Sequence, residues 1–438
     1  MFATATANKL SMDKITQSSK NITPFGGLNF IYNAIHRAGI DKFLDKQIGS
    51  RSVLARYSYS DVVLSLLGNS LCQGDYISDL EHLKKKFYKQ FFNKIPSPDT
   101  VEYVCQELKT TTTTHVTDNG IKHEINFNNA LNSSLVALCV KTEQLQKEVD
   151  NYILDFDNVV IPTEKQDARI SYKKTKGYHP NIAFIGRFPV HIENHNGNTP
   201  ARYEQMETLQ RCFDNLNSHE IKIKHFRADS ASYQKKVVEL LTEKVGDFYI
   251  RIADFEDLRL HCSQIKTWEK VEINYETKEV ASKLYCPFGE YKEYRIVVTR
   301  TLKKDMQIDF LSGSAYNYYG IMTSNQSFTN KEIIEFYNAR GNAENSNRFL
   351  LEDFNLHHLP FPDMDTNTAY MYLMAMSSII FDWIKIILVK NKTQNITASM
   401  RVKAVCFHYI TVATIFINHA RQKILQVFSS LDYQILKI

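Results

Sequence analysis

The sequence has no paired cysteines and no long hydrophobic run. Its seven cysteines occur singly, without a CxxC pair and in odd number, which fits neither a disulfide framework nor a zinc ribbon. The first residues lack the continuous apolar segment of a signal peptide. We therefore expect a folded protein of a reducing cytoplasm.

The most apolar stretch is too short to span a membrane. It runs from Thr368 to Phe381 and is followed by Asp382 and Lys385, whereas a span needs roughly 20 apolar residues. This stretch predicts a buried helix, and we expect no membrane association.

A strong excess of charge of one sign is also missing. The 53 basic and 48 acidic side chains give a net charge of +5, which permits nucleic-acid binding without requiring it. A length of 438 residues and a hydrophobic fraction of 43% are sufficient for two or three domains with ordinary cores.

Hydrophobic periodicity predicts a mixed α/β protein with helical ends. A polar, threonine-rich run from Lys109 to Gly120 is interpreted as a linker. The predicted parts are an all-helical N-terminal domain with this linker (1–124), an α/β domain in two pieces (125–246 and 326–365), a β-rich insertion between them (247–325) and a helical C-terminal region (366–438).

One predicted helix carries a polar stripe where an amphipathic helix would have its core residues. The helix starts at Thr329, which begins a capping box. At about 100° per residue, the stripe covers a sector of roughly 80° that contains Tyr337, Arg340, Glu344 and Arg348. The stripe indicates a face that binds a ligand; the alternative is a solvated face with an i, i+4 arginine–glutamate pair.

Carboxylates also lie on two predicted strands. In the strand from Tyr152 to Ile161, Asp155 and Asp157 share a face because side chains two residues apart point the same way. Asp229 ends a second extended segment, at the edge where open α/β sheets bind ligands. The alternatives are a solvent-facing strand and a capping or turn-forming aspartate.

One carboxylate from each of these two strands, together with Glu344 from the predicted helix, makes a set of three: Asp155 or Asp157, Asp229 and Glu344. Hard oxygen ligands of this kind hold a pair of Mg²⁺ ions, an arrangement that serves phosphodiester cleavage or strand transfer. Arg340, one turn before Glu344, could then bind a phosphate, and Tyr337 could stack on nucleic acid or form a hydrogen bond to it.

These residues resemble the DDE-type transposases of bacterial insertion sequences. Tyr337, Arg340 and Glu344 match the first three members of a tyrosine, arginine, glutamate, lysine signature, and RADSASY resembles the segment that carries the second aspartate. LDFDNVV, the β-rich insertion and YNARGNAEN together look most like the group named for insertion sequence thirteen-eighty. The resemblance extends from about Ile153 to Leu359.

The resemblance implies an RNase H-like catalytic domain, interrupted by the β-rich insertion and preceded by the all-helical N-terminal domain. It implies metal binding by Asp157, Asp229 and Glu344, with Mg²⁺ as the cofactor and Mn²⁺ as the alternative. Asp157 lies where the family has its first aspartate, although Asn158 replaces the usual threonine or serine. The choice between Asp155 and Asp157 stays open.

Other basic residues are expected to contact DNA phosphates. The signature's lysine position is Leu351, and Arg348 is the candidate for a replacement phosphate contact. The expected lysines lie in an aromatic-rich segment of the helical domain and in a tract after the first aspartate strand, where a solvated helix face and an exposed loop are the alternatives: Lys84, Lys85, Lys86 and Lys89, and Lys173, Lys174 and Lys176.

The resemblance implies a cut-and-paste DNA transposase. Such an enzyme binds the inverted-repeat ends of its element, cleaves double-stranded DNA and joins the ends to target DNA, as a homodimer on DNA in the cytoplasm, at the nucleoid. Two alternatives are a DNA-binding derivative that has lost catalysis and a metal-dependent nuclease without strand transfer.

Overall fold

The fold combines a helical layer with a large mixed sheet, and this computed structural model describes residue 16 and residues 20–87, 94–253, 256–289, 292–303 and 315–429. Its α-helices are α1 (Gly27–Arg37), α2 (Ile40–Ile48), α3 (Tyr59–Leu71), α4 (Asp79–Lys86), α5 (Pro98–Leu108), α6 (Asn129–Lys141), α7 (Gln205–Ser218), α8 (Lys235–Lys244), α9 (Glu256–Ser263), α10 (Asn330–Asn338), α11 (Gly341–Arg348), α12 (Met364–Lys390) and α13 (Val402–Val405). A 3₁₀ turn covers Ser230–Ser232, and π turns cover Phe349–Asp353 and Cys406–Ile410.

The strands follow the same chain order. They are β1 (Thr113–Val116), β2 (Lys122–Asn126), β3 (Tyr152–Asn158), β4 (Ile161–Pro162), β5 (Arg169–Ile170), β6 (Lys176–Tyr178), β7 (Asn181–Ile185), β8 (Phe188–His195), β9 (Ile223–Ala228), β10 (Asp247–Arg251), β11 (Glu269–Ile273), β12 (Glu276–Tyr285), β13 (Tyr294–Leu302), β14 (Tyr316–Thr323), β15 (Ala413–His419) and β16 (Gln422–Phe428).

Eleven of the described strands form one mixed sheet, in the order β1-β2-β8-β7-β3-β9-β10-β14-β13-β12-β11. Strands β3, β9 and β10 run parallel at its centre, and antiparallel strands extend it on both sides. Parallel strands are covered on both faces, and helices α7 and α8 contact β8 and β10 respectively. The predicted mixed α/β class is therefore confirmed.

Helix α12 is the centre of the helical layer. By length and composition it could cross a membrane, but 89% of its most apolar window is buried inside the protein. It contacts α3, α5 and α6 as well as β8, and Ser377 Oγ donates a hydrogen bond to Val63 O at 3.1 Å. The prediction of a buried helix from Thr368 to Phe381 is confirmed.

The prediction of a linker after the N-terminal helices is wrong. Residues Thr113–Val116 and Lys122–Asn126 are the strands β1 and β2 at one edge of the sheet. Threonine and valine favour strands, but β1 is largely exposed on both faces, so no apolar alternation marks it in the sequence. The predicted all-helical domain over residues 1–124 therefore contains two strands at its end.

The predicted β-rich insertion does not begin at residue 247. Strand β10 pairs in parallel with β9 and is buried in the centre of the sheet, with Phe248, Tyr249 and Ile250 fully buried. Strand β14 pairs with β10, so β11 to β14 continue the main sheet. An apolar run of this kind is typical of a central parallel strand, and β10 belongs to the α/β part.

The prediction of a helical C-terminal region over 366–438 is wrong for its last part. Strands β15 and β16 form an antiparallel hairpin, joined by Ala420 and Arg421, which both have positive φ angles. The β-branched residues between Thr411 and Ile417 favour extended backbone. Positive φ at both turn residues gives the twist that a two-residue hairpin requires.

A buried charge cluster connects β8 with α7. Arg211 donates to the Glu193 carboxylate from Nε at 2.6 Å and from Nη2 at 2.9 Å, and Thr208 Oγ1 donates at 2.7 Å. Burial raises the pKa of Glu193, but hydrogen bonds from Arg211, His191 and His195 outweigh burial and hold that pKa well below its usual value. Glu193 therefore remains ionised in the core.

We expect Glu193→Gln to lower the free energy of unfolding by about 3 kcal/mol at neutral pH, because breaking a buried ion pair leaves its partner uncompensated. The folded pKa of Glu193 lies below the unfolded value of about 4.3. The contribution of ionised Glu193 to the free energy of unfolding is therefore complete above the unfolded pKa and is lost as the pH falls toward the folded pKa.

Denaturant unfolding at pH 7, 5 and 4 measures this effect. The control is Glu239→Gln, at an exposed position of α8. Equal unfolding free energies for the two variants at pH 7 would contradict the stabilising role of Glu193.

Candidate active site

The parallel pairing of β3 with β9 brings two aspartates to one edge of the sheet. The register places Phe156 opposite Ala228, so the residues that follow, Asp157 and Asp229, lie at the carboxyl ends of adjacent strands. Ligands of open α/β sheets bind at this edge. The predicted convergence of two strand carboxylates is therefore present in the backbone topology.

Asp155 and Asp157 differ in their surroundings although they share a face. Arg227 donates from Nε and Nη2 to Asp155, each at 2.7 Å, and both side chains are almost completely buried. Burial raises the pKa of Asp155, and the hydrogen bonds from Arg227 act against it. Asp157 instead lines a cavity of about 430 Å³. Asp155 borders a second cavity, but with 12% of its side chain exposed, against 3% for Asp155, Asp157 is the more accessible of the two.

The polar stripe extends over two helices rather than one. Helix α10 begins with the predicted capping box at Thr329, which confirms that helix start, and α11 begins at Gly341. Between them, Arg340 N donates to Tyr337 O at 2.8 Å, the three-residue spacing of a 3₁₀ turn. The backbone stays right-handed at Arg340, so the stripe continues across the break.

Arg340 lies among the three predicted carboxylates. Its Nη2 donates to Asp157 Oδ1 at 2.8 Å, and its Nη1 lies 3.5 Å from Glu344 Oε1. Burial lowers the pKa of Arg340, but Asp157, Tyr337, Asp229 and Glu344 together raise it above the usual value. The carboxylates therefore surround one guanidinium, and Glu344, with 68% of its side chain exposed, is the outermost.

Asn347 is a site residue that the sequence analysis missed. Its Nδ2 donates to Asp157 Oδ2 at 2.9 Å, so both carboxylate oxygens of Asp157 accept a hydrogen bond. Burial raises the pKa of Asp157, while Arg340 lowers it and Asp229 raises it further. On a helical wheel with Tyr337 at zero and about 100° per residue, Asn347 falls near −80°, beside Arg340. This angular position is the feature of the sequence that could have indicated Asn347 as a site residue.

Tyr337 and Asp229 each have a structural contact at the site. Tyr337 OH donates to Ala228 O at 3.2 Å, and burial raises the pKa of Tyr337 to about 12. The Asp229 side chain accepts a hydrogen bond from Ala231 N at 3.0 Å and caps the 3₁₀ turn. Tyr337 therefore fixes the end of α10 beside the end of β9.

The predicted lysine tract lies in and beside the turn between β5 and β6. Lys173 and Lys174 are exposed in the turn between β5 and β6, and Lys176 Nζ donates to a backbone carbonyl at 3.5 Å. Burial lowers the pKa of His179, and smaller effects on it come from Lys173 and Asp229. The turn is therefore within electrostatic range of the same buried histidine as Asp229.

The other predicted lysines are in the helical N-terminal part. Lys84, Lys85 and Lys86 are exposed in the last turn of α4, and Lys86 Nζ lies 4.9 Å from the centre of the Phe25 ring. Lys89 lies outside the described residues. None of the three described lysines lines the cavity at Asp157.

The carboxylates do not form a ready metal site. Within the described residues, no group of three or more Asp, Glu, His or Cys side chains is arranged to hold a metal ion. The physical reason is Arg340, whose guanidinium lies between Asp157 and Glu344. Carboxylates bind both guanidinium groups and hard divalent cations, so the chemistry of these side chains is compatible with Mg²⁺ or Mn²⁺.

The two neighbouring aspartates are expected to differ in their effect on stability. Asp155→Asn should lower the free energy of unfolding by about 3–5 kcal/mol, because it leaves the buried Arg227 unpaired. Asp157→Asn loses the ionic contact with Arg340, but it also removes repulsion from Asp229, and Glu344 still faces Arg340. The loss in the free energy of unfolding should therefore be only about 1 kcal/mol. Denaturant unfolding in metal-free buffer measures both, and equal losses would contradict this distinction.

A comparison with protein families agrees with the resemblance to DDE-type transposases. Residues 10–436 match the family described as transposase DDE domain group 1. No curated protein sequence matches. Among solved structures, the chain is similar to a piggyBac transposase synaptic complex with hairpin DNA, at 10% sequence identity and a TM-score of 0.43, over 89% of this chain and 80% of that chain. Because the family match covers nearly the whole length, the chain belongs to the transposase DDE domain group 1 family.

Proposed function

We propose that this member of the transposase family cleaves DNA at the inverted-repeat ends of an insertion sequence and joins those ends to target DNA. The observation that carries the proposal is the position of Asp157 and Asp229 at adjacent strand ends, with Arg340 between Asp157 and Glu344. A site for phosphodiester chemistry needs such carboxylates together with a positive group for the phosphate.

The strand order supports an RNase H-like core as part of this proposal. In the series β8-β7-β3-β9-β10, the first pairs are antiparallel and the last two are parallel. The segments around Asp157 and Glu344 favour the group named for insertion sequence thirteen-eighty. The proposal also includes that the protein acts on DNA as a homodimer in the cytoplasm.

Asp157, Asp229 and Glu344 are the residues that would hold Mg²⁺ or Mn²⁺. Two such ions, when bound, would activate the attacking hydroxyl group and stabilise the leaving oxygen. Asn347 keeps the Asp157 carboxylate oriented through its 2.9 Å hydrogen bond. Arg340 must leave Asp157 for a metal to bind, and its released guanidinium is then available for a DNA phosphate.

Arg348 is the second phosphate-binding residue in the proposal. It is exposed and lines the cavity at Asp157 together with Leu351, which occupies the signature's lysine position. Because a guanidinium can bind a phosphate through two hydrogen bonds, Arg348 can supply the positive charge that Leu351 lacks.

Competition between Arg340 and the metal predicts an unusual effect on metal affinity. We expect Arg340→Gln to strengthen Mn²⁺ binding by about tenfold, because a hydrogen bond to a charged group contributes about 1.5–3 kcal/mol and about 1.4 kcal/mol corresponds to tenfold. Titration of the DNA-free protein followed by electron paramagnetic resonance of free Mn²⁺ measures the affinity. Arg348→Gln is the control, since in the described structure Arg348 forms neither a hydrogen bond nor an ion pair with Asp157. Unchanged or weaker binding by Arg340→Gln would contradict the competition.

The proposed activity is tested with DNA that carries the inverted repeats found beside the gene, in the presence of Mg²⁺. We expect the intact protein to cleave at the repeat boundary, and Asp229→Ala and Glu344→Gln to lose at least about two orders of magnitude in rate, because each removes a metal ligand. Glu335→Gln, an exposed position of α10, is the matched control and should cleave normally.

A second assay separates the alternatives. Joining of the cleaved end to a target plasmid would support strand transfer, whereas cleavage without joining would indicate a nuclease. DNA binding without Mg²⁺-dependent cleavage would indicate a DNA-binding derivative that has lost catalysis.

A further inference from the structure

Two cavities meet at Arg348. One is the cavity of about 430 Å³ at Asp157 and Glu344, and the other is a larger cleft of about 850 Å³ toward the opposite end of β3. Arg348 lines both of them. The larger space, which we call the basal cleft, is lined by Ile153, Gly186, Arg187, Asn345, Arg348 and Ser399, among other residues. Arg348 therefore lies between the two cavities, one of which borders the candidate active site.

The far wall of the basal cleft is held in place by buried charges. Lys385 is almost fully buried, and its Nζ donates to Ala398 O at 3.2 Å and to Met400 O at 3.3 Å. Arg187 Nη1 also donates to Ala398 O, at 3.4 Å. These bonds fix the loop that carries Ser399 against α12 and the sheet. This wall of the cleft is thus built from firmly positioned backbone.

The charges at this cleft favour an anion between Arg187 and Arg348. Arg187 and Lys385 share one carboxylate, that of Asp382, at 3.7 and 2.6 Å. The Arg187 guanidinium lies 4.6 Å from the centre of the Phe349 ring, beside Arg348 in the chain. In the described part of the protein, Arg348 has no carboxylate within ion-pair distance. Positive charge therefore exceeds negative charge around Arg187 and Arg348.

The other arginines of the cleft do not add to this excess. Arg227 is paired with Asp155, and Arg401 is paired with both Glu352 and Asp353. The available positive charge is therefore concentrated on the side of Arg187 and Arg348 rather than spread over the whole cleft.

We propose that the basal cleft binds the phosphate backbone of the same DNA duplex whose scissile phosphate lies at Asp157, with Arg187 and Arg348 as the phosphate contacts. This inference rests on the proposed function and adds to it the course of the DNA across the protein. A phosphate backbone fits because contacts of this kind position a duplex independently of its sequence. The two arginines supply the charge, and the fixed loop at Ser399 limits the path.

The length of β3 sets the expected distance between the two sites. Ile153 in the basal cleft is four residues before Asp157, which corresponds to about 13 Å at about 3.3 Å per residue. One base pair of duplex DNA rises about 3.4 Å. A duplex that runs along β3 would therefore need to extend about four base pairs beyond the cleavage position, on one side, to reach the basal cleft.

The experiment introduces negative charge into both walls of the cleft. The variants are Asn345→Glu on α11 and Ser399→Glu on the fixed loop, both at exposed positions. Asn217→Glu, at an exposed position of α7, is the matched control. Affinity is measured as a function of salt for inverted-repeat duplexes that extend two or eight base pairs beyond the cleavage position, with either side extended in turn.

For the wild type and for Asn217→Glu, we expect the eight-base-pair extension on one side to bind about tenfold more tightly than the two-base-pair extension. In Asn345→Glu and Ser399→Glu this gain should disappear, and the slope of log K against log salt should decrease by about one, the value for one lost phosphate contact.

Two failures can be told apart. If the wild type cleaves its DNA but both acidic variants keep the gain from the extension, the basal cleft does not bind the duplex and only this inference is overturned. If the wild type neither cleaves nor binds inverted-repeat DNA, the proposed function itself fails. Circular dichroism and thermal unfolding of each variant confirm that it is folded.

Discussion

The pairing of β3 with β9 is the constraint on which the candidate active site depends. A shift of one residue would turn every side chain of β3 to the other face of the sheet. The buried ion pair of Asp155 with Arg227 opposes such a shift, because a slipped register would leave both charges buried without a partner. The same register places Asp157 next to Asp229. A structural ion pair in the sheet thus positions the carboxylates at its edge.

Arg340 shows how this site remains folded without a bound metal. Three carboxylates that converge on one point repel each other, and burial near Asp157 adds a desolvation cost. The guanidinium of Arg340 offsets both effects through its contacts with Asp157 and Glu344. Arg340 therefore places a cationic group where the carboxylates would otherwise repel each other.

The surfaces around the site are built from parts of the chain that are far apart in sequence. Helix α12 packs on N-terminal helices and on the sheet, and its Lys385 positions the loop at Ser399. Arg187 reaches the same loop from the β7–β8 turn. The basal cleft therefore exists only when the N-terminal helices, the sheet and the C-terminal segment are packed together.

The mixed α/β class, the buried character of α12 and the capping box at Thr329 could be predicted from the sequence, as could the candidate carboxylates, since each leaves a local pattern of periodicity, capping or spacing. It did not reveal β1, β10 as a central strand, or the C-terminal hairpin, because the membership of a strand in a sheet depends on partners distant in the chain. Only the tertiary structure separated Asp155 from Asp157. The two share a strand face and a residue type, and their difference arises from Arg227 on one neighbouring strand and Arg340 beyond the sheet.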